Sequence, residues 1–376
     1  MIRILQVVTY MGRGGLETML MNFYRHIDRE KLQFDFLVHR SERAAYDDEI
    51  ESLGGRIYRL PQLVPWSAGY LTSLNDFFDE HPEYKVIHVH QDCLSSVILK
   101  AAEQHDIPVR IAHSHNANQD KNLKYPIKLW YKRSIPKYAT NLFACGKDAG
   151  DWMFGGAPYK IINNAIDAAA YTYNPETRLR VRTELGLNDR FVAGHVGRFN
   201  PPKNHTFLIE IFAALLKKEP NAVLLLVGNG DDMPKAEAKA QSLGIAKNVR
   251  FLGVRSDVAD LMQAMDVFVF PSLYEGLPVT MVEAQSSGLP CLISDKVPPE
   301  CIMTNGLTDV MPLSASPDTW AEKILEMRNT PRTDRSAEIT AHGFDINTEA
   351  VKLQEFYLSA YEQNSRDNFN RFHAGI

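Results

Sequence analysis

Short apolar runs alternate with stretches of helical periodicity along the whole chain. In the first half they predict strands near residues 2–8, 33–38, 56–60, 86–90, 108–113 and 141–145, and helices near 16–26, 67–80 and 94–105. In the second half they predict strands near 190–196, 222–227, 249–252, 266–270 and 289–293, and helices near 204–218, 233–243, 257–264 and 278–287. This alternation is typical of an α/β fold, because each helix that crosses between parallel strands covers one face of their sheet.

The length of the chain and a repeat in its pattern predict two domains. With 376 residues the chain is longer than one ordinary domain of ~100–200 residues. Each half opens with a strand, a glycine loop and a helix, and the boundary should lie between Asn164 and Asp189. We therefore expect one domain over residues 1–165 and another over 166–346, with a long helix near 347–364 inside the remaining segment, 347–376.

Composition narrows the class of protein. The net charge of −5 argues against a general nucleic-acid binder. No apolar run approaches the ~18 residues of a membrane span, and the apolar start at residues 1–8 suits a first strand better than a signal peptide. The four cysteines form no C-x-x-C pair, which favours reduced thiols in a cytoplasmic protein.

Residues 270–290 carry the densest set of candidate functional groups. A buried strand ending at Phe270 is followed by a loop with Glu275 and Gly276, and then by a helix that includes Glu283. Pro278 suits the start of that helix, whose free amides could bind phosphate. Leu277 lies between Gly276 and Pro278. Carboxylates only accept hydrogen bonds, so they suit the hydroxyls of ribose or a sugar. The alternative is a helix cap at Glu275 and a solvated helix position at Glu283.

Two cations follow the first strand of the second half. Arg198 and Lys203 lie on one loop, where they could stabilise a diphosphate; the alternative is a pair of solvated surface charges. Gly228 follows the next strand, where the alternative is a plain turn, and Val254 follows the strand after that.

The first strand is followed by a glycine loop in which Gly14 and Gly15 could bring backbone amides close to a phosphate. A dinucleotide-binding loop needs G-x-G-x-x-G. Gly12 and Gly14 fit its first two glycines, but Glu17 takes the place of the third. A tight turn without a ligand is the alternative.

The strand near 108–113 leads into His113 and His115, which alternation places on one side of it. Either could contact a substrate, or both could be core histidines. With His88 and His90 they could form a metal cluster, but their spacing fits no common zinc pattern, so we expect no metal.

Lysines at positions 121, 124, 128 and 132 share one face of a predicted basic amphipathic helix over 121–138. Such a helix could dock on an anionic membrane surface, or it could be an ordinary half-buried surface helix.

The motifs F-P-S-x-x-E-G-x-P-x-x-x-x-E-A-x-x-x-G-x-P from Phe270 and G-R-x-x-x-x-K-N from Gly197 resemble those of the retaining glycosyltransferases of family 4. The resemblance implies the GT-B fold, in which two Rossmann-like domains face a central cleft and the C-terminal helix crosses back to the N-terminal domain. It also implies a metal-independent enzyme without a cofactor. The tail 309–320 resembles members that make capsules and exopolysaccharides, whose acceptors are lipid-linked or saccharide. At the predicted domain boundary, where the family usually has an Asn-Gly pair, this chain departs from the pattern and has Asn164-Ala165.

The resemblance also implies roles for single residues. The C-terminal domain would hold a nucleotide-sugar, expected to be a UDP-sugar, and the N-terminal domain the acceptor. Glu275 would bind sugar hydroxyls, Glu283 the ribose, and Arg198 with Lys203 the diphosphate. The remaining donor-site positions are Gly14, Gly15, Gly228, Val254, Gly276, Leu277 and Pro278. His115, with His113 in reserve, would contact the transferred sugar. The alternatives are an epimerase or hydrolase of nucleotide-sugars and an inactive nucleotide-binding partner subunit.

Overall fold

A computed structural model describes residues 1–116 and 125–374, with side chains described as far as residue 364. The chain divides into two units. The first unit comprises Met1–Ala165 and the chain from Ile346 onward. The second comprises Ile166–Asp345. The chain therefore leaves the first unit once and returns to it.

A parallel sheet of seven strands forms the centre of the first unit, in the order β3-β2-β1-β4-β5-β6-β7. The strands are β1 (Ile2–Val8), β2 (Leu32–Val38), β3 (Ile57–Arg59), β4 (Val86–Val89), β5 (Val109–Ser114), β6 (Asn141–Ala144) and β7 (Lys160–Ile161). The helices are α1 (Gly15–His26), α2 (Asp47–Ser52), α3 (Ala68–Glu80), α4 (Ser95–Gln104), α5 (Tyr125–Lys132), α6 (Ile135–Tyr138), α7 (Lys147–Phe154) and, at the end of the chain, α16 (Ile346–Ala374).

Both faces of this sheet are buried. Along β1, Leu5 and Val7 belong to one hydrophobic cluster, and Ile4 and Val8 to the cluster on the other face. Helix α16 packs into the second of these clusters, to which it contributes the fully buried Tyr357. A residue from the far end of the chain thus completes the core around the first strand.

The second unit repeats the architecture with six parallel strands in the order β10-β9-β8-β11-β12-β13. The strands are β8 (Phe191–Val196), β9 (Ala222–Val227), β10 (Val249–Phe251), β11 (Val267–Phe270), β12 (Cys291–Ser294) and β13 (Thr308–Met311). The helices are α8 (Ala168–Tyr171), α9 (Pro175–Glu184), α10 (His205–Lys218), α11 (Met233–Ser242), α12 (Val258–Ala264), α13 (Val279–Ser286), α14 (Pro317–Glu326) and α15 (Ser336–Ala341).

The predicted fold class is confirmed, since each unit is a Rossmann-like parallel sheet covered by helices. In the second unit the strand order reverses direction beside β8, which pairs with β9 on one side and β11 on the other. Ligands of open α/β sheets bind at the carboxyl ends of the strands at such a point.

The prediction of one continuous basic helix over 121–138 is wrong. Lys121 and Lys124 lie outside the described residues, and after them the segment forms α5 and the separate α6. Pro136 accounts for the break, because it cannot donate to the carbonyl of Lys132 and its ring would collide with that carbonyl. Within the described part of the chain, no helix combines the length and apolar character that crossing a bilayer requires.

Candidate active site

In the second unit, the loops at the carboxyl ends of neighbouring strands are joined by backbone hydrogen bonds. The Phe199 N–H donates to the Asn229 carbonyl at 3.0 Å, which ties the loop after β8 to the loop after β9. The Leu273 N–H donates to the Pro202 carbonyl at 2.7 Å, which ties the loop after β8 to the loop after β11. The segments that carry the predicted donor-site residues are therefore held side by side.

Gly228 is required where two of these loops meet. Its φ of +134° is in the region that favours glycine, and a Cβ there would collide with the Gly197 carbonyl oxygen. Its own N–H donates to the Gly253 carbonyl at 2.8 Å. Gly228 thus contributes close backbone packing, while the neighbouring Val254 presents a side chain that is 58% exposed.

Lys203 and Glu275, two of the predicted functional residues, form an ion pair. Their Nζ and Oε1 atoms lie 2.7 Å apart, and the side chains are only 15% and 11% exposed. The Lys203 ammonium also lies 4.6 Å from the centroid of the Phe270 ring. The pair brings a cation and a hydroxyl acceptor together at the ends of β8 and β11.

Arg198, the other predicted cation, has a different environment from Lys203. It is exposed, and no side chain within residues 1–116 or 125–364 forms a hydrogen bond or ion pair with its guanidinium. Its donors are therefore available to a ligand.

Helix α13 places the second glutamate. Pro278 precedes the helix as its N-cap residue, so the amides of Val279 and Thr280 open its first turn. Leu277 packs against the hydrophobic clusters beneath, and an added Cβ at Gly276 would meet nothing within 4 Å. Space beside the backbone is therefore present where the sequence predicts a close approach.

The Glu283 carboxylate accepts a hydrogen bond from the Tyr171 hydroxyl at 2.9 Å. Burial raises the pKa of Glu283 from its ordinary value of 4.5 to about 7, and the hydrogen bond from Tyr171 opposes this shift. Tyr171 was not predicted as a site residue. It lies 112 residues before Glu283, and no local spacing signals such a contact.

In the first unit, Gly14 is the N-cap residue of α1 and is exposed together with Gly15. The Glu17 carboxylate folds back against Gly14, where an added Cβ would collide with it. Burial raises the pKa of Glu17, and the neighbouring amides of Gly14 and Glu17 oppose this shift. A glutamate three residues after the N-cap residue is typical of a capping box. The start of α1 is thus already occupied by a carboxylate, which would repel a phosphate at this place.

His113 and His115 lie at the end of β5 against two histidines of the neighbouring β4 region. The rings of His113 and His115 are 4.1 Å apart between centroids. Nδ1 of His90 lies 2.8 Å from Nε2 of His115, and Nδ1 of His113 lies 3.2 Å from Nε2 of His88. The four side chains therefore form one cluster.

Two residues far apart in the sequence close this histidine cluster. The Gln6 Oε1 atom lies 3.0 Å from Nε2 of His90. The amide Nε2 of Gln6 donates to the Tyr357 hydroxyl at 3.3 Å. That hydroxyl lies 2.6 Å from Nδ1 of His88. Neither Gln6 nor Tyr357 was predicted, because each stands in an ordinary apolar pattern.

Burial keeps the cluster neutral at physiological pH. It lowers the pKa of His115 to about 3 and lowers the pKa of the other three well below the ordinary value. One nitrogen each of His88, His90 and His113 lies within 4.8 Å of the others, a spacing that a metal could use. Both nitrogens of His88 and of His90 already face hydrogen-bond partners, which a metal would have to displace.

Two family descriptions cover most of the chain. Residues 13–170 match Glycosyltransferase Family 4, and residues 177–342 match Glycosyl transferases group 1. EpsF of Bacillus subtilis (strain 168), a protein named as a glycosyltransferase, is 35% identical over 382 residues, which cover 98% of each chain.

A second relative and a solved structure agree with this assignment. The Escherichia coli UDP-Gal:alpha-D-GlcNAc-diphosphoundecaprenol alpha-1,3-galactosyltransferase is 28% identical over 292 residues, which cover 73% of this chain and 76% of the relative. The structure of HepE from Anabaena in complex with UDP and glucose matches with a TM-score of 0.79 at 19% identity, covering 96% of this chain and 100% of HepE. The fold is therefore of the GT-B type, and the chain belongs to the family 4 glycosyltransferases.

Proposed function

We propose that this glycosyltransferase moves a sugar from a UDP-sugar to a lipid-linked or saccharide acceptor, with retention of the anomeric configuration, in the synthesis of capsular or extracellular polysaccharide. The observation that carries the proposal is the Lys203–Glu275 ion pair, placed on loops that also present Arg198. The E. coli relative is named for a UDP-sugar donor and a diphosphoundecaprenol acceptor, and HepE binds UDP and glucose.

The second unit would hold the donor. Arg198 and Lys203 suit the diphosphate, whose negative charge grows as the sugar departs. Glu275 suits the sugar hydroxyls and Glu283 the ribose, because ionised carboxylates accept from neighbouring hydroxyls. The open backbone at Gly276 and the first turn of α13 would complete the donor site. Arg198 and Lys203 would neutralise the charge of the leaving diphosphate without a metal ion.

The first unit would hold the acceptor. Nδ1 of the neutral His115 is buried and has no hydrogen-bond partner among the described residues. Leaving a buried nitrogen without a hydrogen bond costs roughly 1–3 kcal/mol. A hydroxyl of the transferred sugar would satisfy it. Because Glu17 occupies the start of α1, Gly14 and Gly15 would contact neutral hydroxyls and not the diphosphate.

In front-face displacement the departing phosphate helps to take the acceptor proton, so no carboxylate has to act as nucleophile.

A lipid-linked acceptor would require docking at the inner face of the cell membrane. Lys132 does not serve this purpose, because its ammonium donates to the Trp152 carbonyl and lies over the Trp152 ring. The outer surface of α5 instead exposes Ile127 and Trp130, and Arg133 and Lys137 follow them. Exposed tryptophan beside cations suits the headgroup region of an anionic bilayer.

Ligand binding and product analysis together test the proposed function. UDP-sugars should raise the midpoint of thermal unfolding, since a ligand that binds only the folded protein stabilises it. With a polyprenyl-diphosphate sugar as acceptor, a disaccharide should form with the donor's anomeric configuration, read by NMR of the product. Sugar release without an acceptor would identify a hydrolase, a new nucleotide-sugar an epimerase, and binding without turnover a partner subunit.

A further inference from the structure

The histidine cluster of the first unit is one unbroken chain of hydrogen bonds with two open ends. In order, the chain runs through His115, His90, Gln6, Tyr357, His88 and His113. Its ends are Nδ1 of His115 and Nε2 of His113. Both atoms are buried, and neither has a hydrogen-bond partner within the described residues.

Gln6 gives this chain a direction. Its Oε1 can only accept, so the proton of the neutral His90 is on Nε2, facing Gln6. Nδ1 of His90 is then an acceptor, and the proton shared across its 2.8 Å contact belongs to Nε2 of His115. A neutral imidazole carries one proton. Nδ1 of His115 therefore presents a lone pair.

The other arm follows from the amide nitrogen of Gln6. It donates to the Tyr357 hydroxyl, which in turn donates its own proton to Nδ1 of His88. His88 then carries its proton on Nε2 and donates it to Nδ1 of His113. Nε2 of His113 is left as a donor, so the two open ends have opposite character.

We infer that Gln6, anchored by Tyr357, is a positioning residue that holds His115 as the Nε2–H tautomer, so that Nδ1 is ready to accept a hydrogen bond from a sugar hydroxyl. This rests on the proposed role of His115 in the transfer reaction. The coupling itself does not, because it follows from the hydrogen bonds alone. Rotating the Gln6 amide by half a turn would exchange the donor and the acceptor at the two ends.

Nitrogen NMR of the full-length protein labelled with ¹⁵N-histidine tests the tautomer directly, because protonated and unprotonated ring nitrogens have separate chemical shifts. The His115 signals are assigned by their loss in His115→Asn. In the wild type, we expect a protonated Nε2 and an unprotonated Nδ1 on His115, unchanged between pH 6 and pH 8. A protonated Nδ1 on His115 would overturn the inference.

Variants test the role of the chain. Gln6→Met keeps the side-chain length but removes both hydrogen bonds, so both tautomers of His115 should appear. If half of the protein is in the competent tautomer, the transfer rate should fall about twofold, with UDP affinity unchanged. Tyr357→Phe removes only the hydroxyl oxygen that anchors the Gln6 amide. This variant is the test if Gln6→Met does not fold. A single unchanged His115 tautomer in the folded variant would refute the role of Gln6.

A packing control separates positioning from general stability. Phe143 packs edge-on against both His88 and His113 but takes no part in the hydrogen bonds. Phe143→Leu should lower stability and leave the His115 tautomer as in the wild type. Mixed tautomers in this variant would show that packing, and not Gln6, sets the proton. If the wild type transfers no sugar, the proposed function fails, while the NMR result still decides the tautomer.

Discussion

Lys203 and Glu275 come from loops 72 residues apart and yet lie 2.7 Å from each other, shielded from most of the solvent. Each therefore depends on the other for its charge to be tolerated, quite apart from any ligand. Substitution of either residue should affect the fold as well as catalysis, which a measurement of activity alone would not reveal.

The Lys203–Glu275 pair gives a stability prediction. Lys203→Ala should lower the free energy of unfolding by about 3 kcal/mol, because removal of one partner leaves a buried, unpaired charge. The double variant Lys203→Ala/Glu275→Ala should regain part of that loss without regaining transfer. Urea unfolding of the wild type, both single variants and the double variant measures the coupling. Strictly additive losses would show that the two residues do not interact.

Arg198 should behave in the opposite way, because it is exposed and its guanidinium is available. Arg198→Ala should leave the thermal unfolding midpoint unchanged and lower kcat at least about tenfold, since it acts on charge that develops in the transition state. Lys217→Ala, which removes an exposed cation on α10 away from the loop, is the control. Equal kcat values in the two variants would make Arg198 an ordinary surface residue.

The raised pKa of Glu283 leads us to expect that nucleotide binding depends on pH. With a pKa of about 7 in the free protein, the carboxyl is largely protonated below pH 7, whereas ribose hydroxyls prefer the ionised form. UDP affinity should therefore weaken as the pH falls from 8 to 6, and binding near pH 6 should release protons. Calorimetry in buffers of different ionisation enthalpy measures this release. Glu283→Gln should lack the proton release that Glu283 contributes, so equal release in both proteins would remove the ribose role.

Tyr171 should shift this pH profile in a defined direction. Its hydrogen bond favours the ionised carboxylate and so lowers the pKa of Glu283. Tyr171→Phe should raise that pKa further and move the loss of UDP affinity to higher pH. The same calorimetric series detects the shift, and a profile that moves to lower pH would show that Tyr171 does not favour the ionised carboxylate.

His115→Ala should separate nucleotide binding from transfer. The groups proposed to bind UDP all belong to the second unit, so UDP affinity should stay near that of the wild type, while the transfer rate should fall by about a hundredfold. Both are measured on the same preparation. If the variant loses UDP affinity as well, His115 is structural or the proposed division of labour is wrong. If it loses neither, His113 is the next candidate.

Membrane docking is tested at Trp130, which is 64% exposed on α5. Trp130→Ala should weaken binding to anionic vesicles in a sedimentation assay and spare transfer to a soluble acceptor analogue, because it removes an interfacial anchor. Trp66→Ala is a matched control, since Trp66 is 62% exposed but follows the edge strand β3. Equal vesicle binding by Trp130→Ala and the wild type would argue against docking through α5.

Local pattern was sufficient to predict most elements of the fold. The central strands are continuous apolar runs buried on both faces, so β1, β8 and β9 lie within about one residue of their predicted ends. The short β7 and the half-buried edge strand β13 were missed, because neither has such a run.

Contacts between distant residues could not be predicted in the same way. Glu275 and Lys203 stood out as charges in loops that follow buried strands, but their pairing spans 72 residues. Tyr171 and Tyr357 were missed because tyrosine in an apolar pattern is usually a core residue, and the hydroxyl partner that sets them apart is supplied by the tertiary fold.

The return of α16 to the first unit has a consequence for biosynthesis. The ribosome makes β1 early and α16 only after the whole second unit, although Gln6 and Tyr357 meet in one core. The second unit can therefore fold during translation, while the first waits with an open apolar face. A chain stopped after Asp345 should show native protease resistance in the second unit and rapid cleavage in the first, as measured by limited proteolysis. Equal protection of both units would show that the nascent first unit does not need α16.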